Sequence, residues 1–311
     1  MELLVQVLFL ALGFLMLVKG ADWFVEGVSG VATRFGIPQI VIGLTIVAMG
    51  TSAPEAAVSI TAAIKGSADI TIGNIVGSNI LNILIILGIT AVIIPVAVQK
   101  STLKIDMPYM ILASVVLFIT GWTGEVVGRM EGIIFLVFFI GFLAYLFYIS
   151  KNNREEDTGL DKRPMWKLLA FSLLGLVLIV WGSDVTVDSA TTIARVLGLS
   201  ERFIGLTIVA LGTSLPELFT SVMAAVKGKA DIAIGNIVGS NIFNILFIVG
   251  ISSLITPVPF APNFLIDTVI SAAAALLLIV CVAKKKLLER WAGVLMLLCY
   301  AAYFAYLSLG F

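Results

Sequence analysis

One stretch of this chain occurs twice, and the duplication limits what the chain can fold into. Residues 43–89 and 205–251 align at a constant offset of 162 without a gap, and 34 of the 47 aligned pairs are identical. Both copies are largely apolar, and each contains one glutamate, Glu55 or Glu217. The fold must therefore hold two equivalent elements that each carry a carboxylate in apolar surroundings.

The composition indicates that these copies lie in a lipid bilayer. Of the 311 residues, 60% are hydrophobic and 12% are charged, whereas soluble domains have about 25% charged residues. Apolar stretches of about 20 residues recur along the chain, as in transmembrane helices. The net charge is zero, and nothing in the charge pattern indicates a nucleic-acid partner. We count ten spans: Leu3–Val18, Ile37–Ile64, Ile70–Val96, Ile105–Thr120, Gly132–Ile149, Trp166–Thr186, Phe203–Val226, Ile232–Thr256, Phe264–Val282 and Trp291–Leu309.

A polar segment divides the ten spans into two sets of five. This linker, 150–164, carries charges of both signs and separates a first half, 1–149, from a second half, 165–311. Because five is odd, the second copy enters the membrane upside down. The predicted fold is an all-α integral membrane protein of ten transmembrane helices in two inverted five-helix repeats. Such repeats place a binding site at the bilayer midplane and suit alternating access.

The distribution of Lys and Arg predicts the orientation in the cell membrane. With ten spans, four of the 19 basic residues fall on the side that holds both termini, and fifteen fall on the other side. Cytoplasmic loops carry the excess of positive charge. The linker is therefore predicted to be cytoplasmic, and both termini extracellular.

The sequence around each glutamate predicts a broken helix. Residues 50–55 read GTSAPE and residues 212–217 read GTSLPE. Pro54 has no N–H and clashes with the preceding turn, so the helix breaks there. Ser52 and Glu55 also match a capping box, in which the glutamate only caps its own half-helix. A carboxylate near the middle of a span is costly and is usually kept for function, so we favour an ion site.

A second motif follows each break and supplies amides and hydroxyls. It spans 73–82 in the first copy and 235–244 in the second. Ser78 and Asn82 are four residues apart and share one helix face, where they either bind an ion or join helices. Asn79 is rotated by about 100° from Ser78 on the helix. We expect Asn79 and its counterpart Asn241 either to support the ion ligands from behind or to form hydrogen bonds between helices.

Further acids lie beside the first and sixth spans. Asp22 and Glu26 follow the first span, and Asp184 and Asp188 lie in or after the sixth. We expect all four near the inner ends of these spans, as interfacial charges.

The chemistry available to a shared site is that of oxygen ligands. The chain contains no histidine, and its two cysteines lie in apolar spans far from the motifs. Carboxylate, amide, hydroxyl and carbonyl oxygens suit hard cations such as Ca²⁺ and Na⁺. Two carboxylates carry a charge of −2, which neutralises one Ca²⁺.

The paired G-T-S-x-P-E and G-N-x-x-G-S-N motifs resemble the α-repeats of the cation/calcium exchangers, especially the prokaryotic sodium/calcium exchangers. The resemblance covers the full chain and implies Glu55 and Glu217 as central ligands, together with Asn82. Asn244 departs from members that have an aspartate there, so the site is symmetric and holds at most two negative charges. The further oxygens implied by the resemblance come from Thr51, Ser52, Thr213, Ser214, Ser78, Ser240, and the backbone of Ala48 and Ala210.

The leading hypothesis is a secondary antiporter that exchanges Ca²⁺ for Na⁺ by alternating access. The alternatives are a proton/cation exchanger that uses the same glutamates, a cation channel, and an intramembrane enzyme, for which no distinct nucleophile is present. The expected partners are Ca²⁺ and Na⁺, bound as transported substrates, and the lipid bilayer. No cofactor is expected, and the symmetric repeat predicts that a single chain is functional.

Overall fold

The computed structural model describes residues 2–152, 163–198 and 210–308, which are almost entirely helical. Most of the predicted linker and the start of the predicted span Phe203–Val226 lie outside these residues. The helices of the first half are α1 (Glu2–Phe35), α2 (Gln39–Thr51), α3 (Ala53–Ile64), α4 (Ile70–Ile93), α5 (Thr102–Gly124) and α6 (Arg129–Asn152). Those of the second half are α7 (Met165–Val196), α8 (Ala210–Thr213), α9 (Leu215–Val226), α10 (Ala230–Ile255), α11 (Asn263–Ala283) and α12 (Arg290–Ser308).

Two short strand pairs connect the halves. The strands are β1 (Val96–Ala97), β2 (Val126–Val127), β3 (Val258–Pro259) and β4 (Leu287–Leu288). Strand β1 pairs antiparallel with β4, and β2 pairs antiparallel with β3. Each pair therefore joins the first half to the second. The span predicted to end at Val96 is too long, because α4 ends at Ile93 and the chain becomes extended at Ile94.

The duplication in sequence is matched by a duplication in secondary structure. Helices α3 and α9 have equivalent bounds at the offset of 162. In the middle of α4 and α10, one stretch of each helix widens into π-helical turns, Asn82–Leu87 and Asn244–Val249, at the same offset. Such π turns occur frequently at functional sites, and each begins here at an asparagine of the second motif.

Helices α1 and α7 are much longer than predicted and pack closely side by side. They contain 34 and 32 residues, about 50 Å at 1.5 Å per residue. A Cβ added at Gly20 would lie 2.8 Å from the carbonyl oxygen of Gly175, and one added at Gly27 would lie 2.7 Å from that of Leu168. As the residue number rises along α1, the number of the residue that it contacts on α7 falls, so the two helices are antiparallel.

This antiparallel packing corrects one expectation about the acids. Because the helices run in opposite directions, residues late in α1 and residues late in α7 lie at opposite ends of the pair. Asp22 and Glu26 are therefore at one end, and Asp184 and Asp188 are at the other. The prediction that all four lie at the inner ends is wrong.

The number of membrane-spanning helices is lower in the described residues than the ten predicted. Within residues 2–152, 163–198 and 210–308, eight helices are long and apolar enough to cross a bilayer. They become nine if α2 and α3, bent by 51° at their junction, count as one span. Helix α9 is apolar but short, and the residues that would complete its span lie outside the described part.

Helices α4 and α10 form the centre of the molecule. They are more buried than the other candidate spans in the described residues. Their residues contribute buried Ile, Leu and Val side chains to a continuous core. The second motif of each copy lies on these helices, so its amides and hydroxyls are held in the most buried part of the fold.

Candidate cation site

The two helix breaks lie against each other, and each glutamate contacts a serine of the other copy. Ser52 Oγ donates to Glu217 Oε1 at 2.8 Å, and Ser214 Oγ donates to Glu55 Oε1 at 3.4 Å. Both glutamates are buried, with 1% of Glu55 and 0% of Glu217 exposed. Residues about 160 positions apart in the chain thus belong to one polar cluster.

The structure contradicts the capping-box interpretation of Ser52 and Glu55. Ser52 occupies the N-cap position of α3, but its hydroxyl oxygen accepts no hydrogen bond from a backbone N–H of that helix. The hydroxyl instead donates to Glu217 in the other copy. In a capping box, the glutamate side chain would accept a hydrogen bond from the Ser52 N–H. That N–H donates instead to the Ala48 carbonyl at 3.0 Å. Glu55 is therefore not required as a cap.

Two asparagines outside the predicted ligand set support the breaks. Asn236 Nδ2 donates to the Glu217 carbonyl at 3.3 Å, and Asn236 Oδ1 accepts from Thr51 Oγ1 at 3.0 Å. Asn74 Nδ2 donates to the Glu55 carbonyl at 3.4 Å. The sequence did not predict this role, although the two asparagines occupy the same position of the second motif in each copy.

Four asparagines form a closed network between α4 and α10. Asn79 Nδ2 donates to the Asn241 carbonyl, and Asn241 Nδ2 donates to the Asn79 carbonyl, both at 3.2 Å. Asn82 Nδ2 donates to Asn241 Oδ1 at 2.9 Å, and Asn244 Nδ2 donates to Asn79 Oδ1 at 3.0 Å. The predicted hydrogen bonding of Asn79 and Asn241 between helices is thus present.

Four buried oxygens in this cluster have no hydrogen-bond partner among the described residues. They comprise one carboxylate oxygen from each glutamate and one amide oxygen from each π-turn asparagine: Glu55 Oε2, Glu217 Oε2, Asn82 Oδ1 and Asn244 Oδ1. A buried acceptor without a partner is costly. The four are related in pairs by the offset of 162 and are hard ligands, so the arrangement suits a hard cation.

The remaining predicted ligands lie at different places around the breaks. Ser240 Oγ donates to the Ala48 carbonyl at 3.3 Å, which joins two of them across the copies. Ser78 lies on α4 and lines a cavity with Asn74. Ala210 is the first residue of α8. The Ala48 carbonyl already accepts three hydrogen bonds, from the Ser52 N–H, Thr51 Oγ1 and Ser240 Oγ.

A cavity of about 440 Å³ reaches the helix breaks from one side. It is lined by Pro54 at the start of α3, by Thr213 at the end of α8, and by Asp184 and Asp188 of α7. Two carboxylates thus stand beside a cavity that leads to the candidate site.

The opposite end of the α1–α7 pair is held by ion pairs. Lys227 Nζ, just after α9, lies 2.6 Å from Asp22 Oδ1 and 3.4 Å from Glu26 Oε2. Arg163 pairs with Glu26 as well. These contacts connect α1 to the segment after α9.

Comparison with known proteins identifies the family. A family model described as "Sodium/calcium exchanger protein" matches residues 5–148 and 167–309, which is most of the chain. The chain belongs to the sodium/calcium exchanger family. The two matched segments fall in the two halves of the sequence, on either side of the polar linker.

Individual relatives agree with the family assignment. The sodium/calcium exchanger MaX1 of Methanosarcina acetivorans is 34% identical over 340 aligned positions, covering 96% of this chain and 97% of the relative. The inner membrane protein YrbG of Escherichia coli is 40% identical over 260, covering 80% and 79%. A solved structure of the sodium-calcium exchanger NCX_Mj matches with a TM-score of 0.85 at 32% identity, covering 97% of this chain and 99% of that one.

The family assignment establishes the general activity. The chain is a multi-span helical membrane protein and a cation antiporter of the sodium/calcium exchanger family. The family consists of transporters and is not a class of enzymes, in agreement with the prediction from the sequence.

Proposed function

We propose that the chain exchanges Ca²⁺ for Na⁺ at one site that the two copies of the repeat share. The observation that carries this proposal is the set of four buried oxygens without a partner among the described residues. Leaving a buried acceptor unpaired costs about 1–3 kcal/mol, and more for a charged group. A bound cation offsets that cost for all four at once.

The charge and the atom types of the proposed site favour Ca²⁺ and Na⁺. Glu55 and Glu217 neutralise one Ca²⁺, which takes about 6–8 oxygen ligands. Na⁺ is of similar size and uses the same kinds of oxygen, so the two ions compete, and that competition is the basis of exchange. The oxygens proposed to complete the shell are those of Asn82, Asn244, Thr51, Ser52, Thr213, Ser214, Ser78, Ser240, Ala48 and Ala210.

The proposed membrane arrangement is ten spans in two inverted repeats, with the termini outside and the linker in the cytoplasm. It is supported by the distribution of Lys and Arg, and by the recurrence of helix bounds and π turns at one offset. In this arrangement the two copies approach one midplane site from opposite sides, and one chain holds the complete ligand set. A single chain is therefore proposed as the functional unit.

The two ends of the α1–α7 pair support an outward-open state. On the proposed cytoplasmic side, Lys227 bridges to Asp22 and Glu26. On the proposed extracellular side, the cavity beside Asp184 and Asp188 reaches the breaks. In the proposed cycle, movement of α1 and α7 relative to the core closes this cavity and opens the other side.

The test is Na⁺-driven uptake of ⁴⁵Ca²⁺ by proteoliposomes that contain the purified chain. An outward-directed Na⁺ gradient is expected to drive uptake in the unmodified protein, and Glu55→Gln and Glu217→Gln are expected to abolish it. Glu125→Gln serves as the matched control, because Glu125 is exposed at the end of α5. Uptake that ignores Na⁺ would refute sodium/calcium exchange.

A proton/cation exchanger is the second candidate, because the described residues place no Lys or Arg in a salt bridge with either buried glutamate. A buried carboxylate without a cationic partner readily takes up a proton. Uptake driven by a pH step and indifferent to Na⁺ would favour this candidate. A channel would give fluxes without stimulation by ions on the opposite side.

A further inference from the structure

We propose that Asn241 is a positioning residue that decides which end of the Asn82 amide faces the cation. Asn79 does the same for Asn244. The inference rests on the proposed function, since it concerns the ligands of that site. It assigns a role in ion binding to two residues that do not themselves contact the ion.

The orientation of the Asn241 amide follows from its backbone partner. Asn241 lies 3.2 Å from the Asn79 carbonyl oxygen. A carbonyl oxygen only accepts hydrogen bonds, so the amide must turn its NH₂ group to it. The Asn241 oxygen then points the other way, and the reciprocal contact of Asn79 with the Asn241 carbonyl fixes Asn79 in the same manner.

The fixed oxygen of Asn241 in turn orients Asn82. It lies 2.9 Å from the Asn82 amide, and an acceptor needs a donor, so Asn82 turns its NH₂ group toward it. The Asn82 oxygen is left buried and without a partner among the described residues. Asn79 orients Asn244 in the same way, because Asn79 Oδ1 accepts from Asn244 Nδ2 at 3.0 Å.

This orientation matters because the two ends of an amide have opposite polarity. The oxygen binds a cation, whereas the NH₂ group repels it. Without Asn241, an amide at residue 82 can turn by 180° and present its NH₂ group to the site. All four asparagines are buried, between 0% and 1% exposed, so water does not readily replace the missing acceptor.

The test is a pair of double-mutant cycles, with the half-saturating Ca²⁺ concentration of the full-length chain as the readout. It is measured by equilibrium ⁴⁵Ca²⁺ binding in detergent and by Na⁺-driven uptake in proteoliposomes. Asn241→Leu is expected to raise it about tenfold or more, as loss of one charged contact of at least 1.4 kcal/mol would. Asn82→Ala removes the ligand and is expected to raise it similarly.

The cycle separates positioning from a merely structural role. Asn241→Leu is expected to have little further effect once Asn82 is alanine, because there is no amide left to orient. When Asn241→Leu is combined with Asn244→Ala, by contrast, the two fold-changes in half-saturating Ca²⁺ concentration are expected to multiply, because the two residues act independently. Asn79→Leu should give the reverse pattern, with Asn244 as the dependent residue. Equal effects of Asn241→Leu in both backgrounds would overturn the proposal.

A second substitution covers the possibility that Asn241→Leu does not fold. Asn241→Asp keeps an oxygen for the Asn82 amide and loses the donor to the Asn79 carbonyl. It is expected to retain at least the original Ca²⁺ affinity while lowering the unfolding temperature, and a tenfold loss of affinity would contradict the proposal. If the unmodified chain neither binds nor exchanges Ca²⁺, the proposed function fails. If it does both, and Asn241→Leu has the same effect with and without Asn82→Ala, only the positioning role fails.

Discussion

Glu55→Gln gives the sharpest test of a site shared by the two copies. The substitution keeps the size of the side chain and an oxygen, and it removes one negative charge. The site then holds −1, from Glu217, against the +2 of Ca²⁺. If each copy instead bound an ion by itself, the second copy would continue to work.

The expected loss can be worked from the charge and burial of the two glutamates. At a Ca²⁺–oxygen distance of about 2.4 Å and an effective dielectric constant of about 20, one carboxylate attracts Ca²⁺ by roughly 14 kcal/mol. Most of this offsets the dehydration of the ion and the carboxylate. Removing one partner of a buried charge pair costs about 3–5 kcal/mol net, which is roughly 100- to 5,000-fold in Kd. Both glutamates are at most 1% exposed, so screening by solvent does not reduce this value much.

Two measurements check the prediction. Equilibrium ⁴⁵Ca²⁺ binding gives the change in Kd, and Na⁺-driven ⁴⁵Ca²⁺ uptake gives the change in transport. Na⁺ binding should weaken less, because the remaining charge of −1 still balances a monovalent ion. Glu125→Gln is expected to match the unmodified protein. Near-normal calcium exchange by Glu55→Gln, with Glu217 as the remaining glutamate, would refute the shared site.

Three further predictions follow from individual contacts. Ser52→Ala should weaken Ca²⁺ binding more than Ser214→Ala, because the Ser52 hydroxyl lies 2.8 Å from its carboxylate and the Ser214 hydroxyl lies 3.4 Å from its own. Hydrogen bonds to charged groups are worth about 1.5–3 kcal/mol, and equal Kd values in the two variants would contradict this prediction. Gly20→Ala should lower the unfolding temperature and slow transport, because the added Cβ would lie 2.8 Å from backbone atoms of α7 and overpacking costs about 1–3 kcal/mol. Gly141→Ala is the control and should change neither, because open space surrounds Gly141. Lys227→Gln should increase amide hydrogen exchange in the second half of α1, because a partly exposed ion pair worth about 1 kcal/mol is lost. Unchanged exchange there would show that the ion pairs of Lys227 with Asp22 and Glu26 do not hold the helix.

Much of the fold could be predicted from local pattern alone. The apolar stretches identified most of the spans, since a bilayer requires about 20 apolar residues per helix. Pro54 predicted the break between α2 and α3, because a proline inside a helix removes a backbone hydrogen bond and clashes with the preceding turn, whereas the first turn of a helix tolerates it. Pro54 accordingly lies in the first turn of α3. The helix ends were less accurate, and α1 continues to Phe35 where Val18 was predicted. Charged residues such as Asp22 and Glu26 interrupt the apolar pattern there, but the helix continues through them to Phe35.

The sequence by itself determined the repeat, the break in each copy and the chemical types of the candidate ligands, because these follow from residue identity and spacing. Only the tertiary structure decided which groups meet. Ser52 reaches Glu217 rather than capping its own helix, Asn82 reaches Asn241, and the acids of α1 and α7 lie at opposite ends of an antiparallel pair. The two hydrogen bonds join residues 165 and 159 positions apart, and the spacing of apolar residues and the local helix propensity carry no information about such distant partners. The packing of one copy against the other turns two half-sets of oxygens into one candidate site.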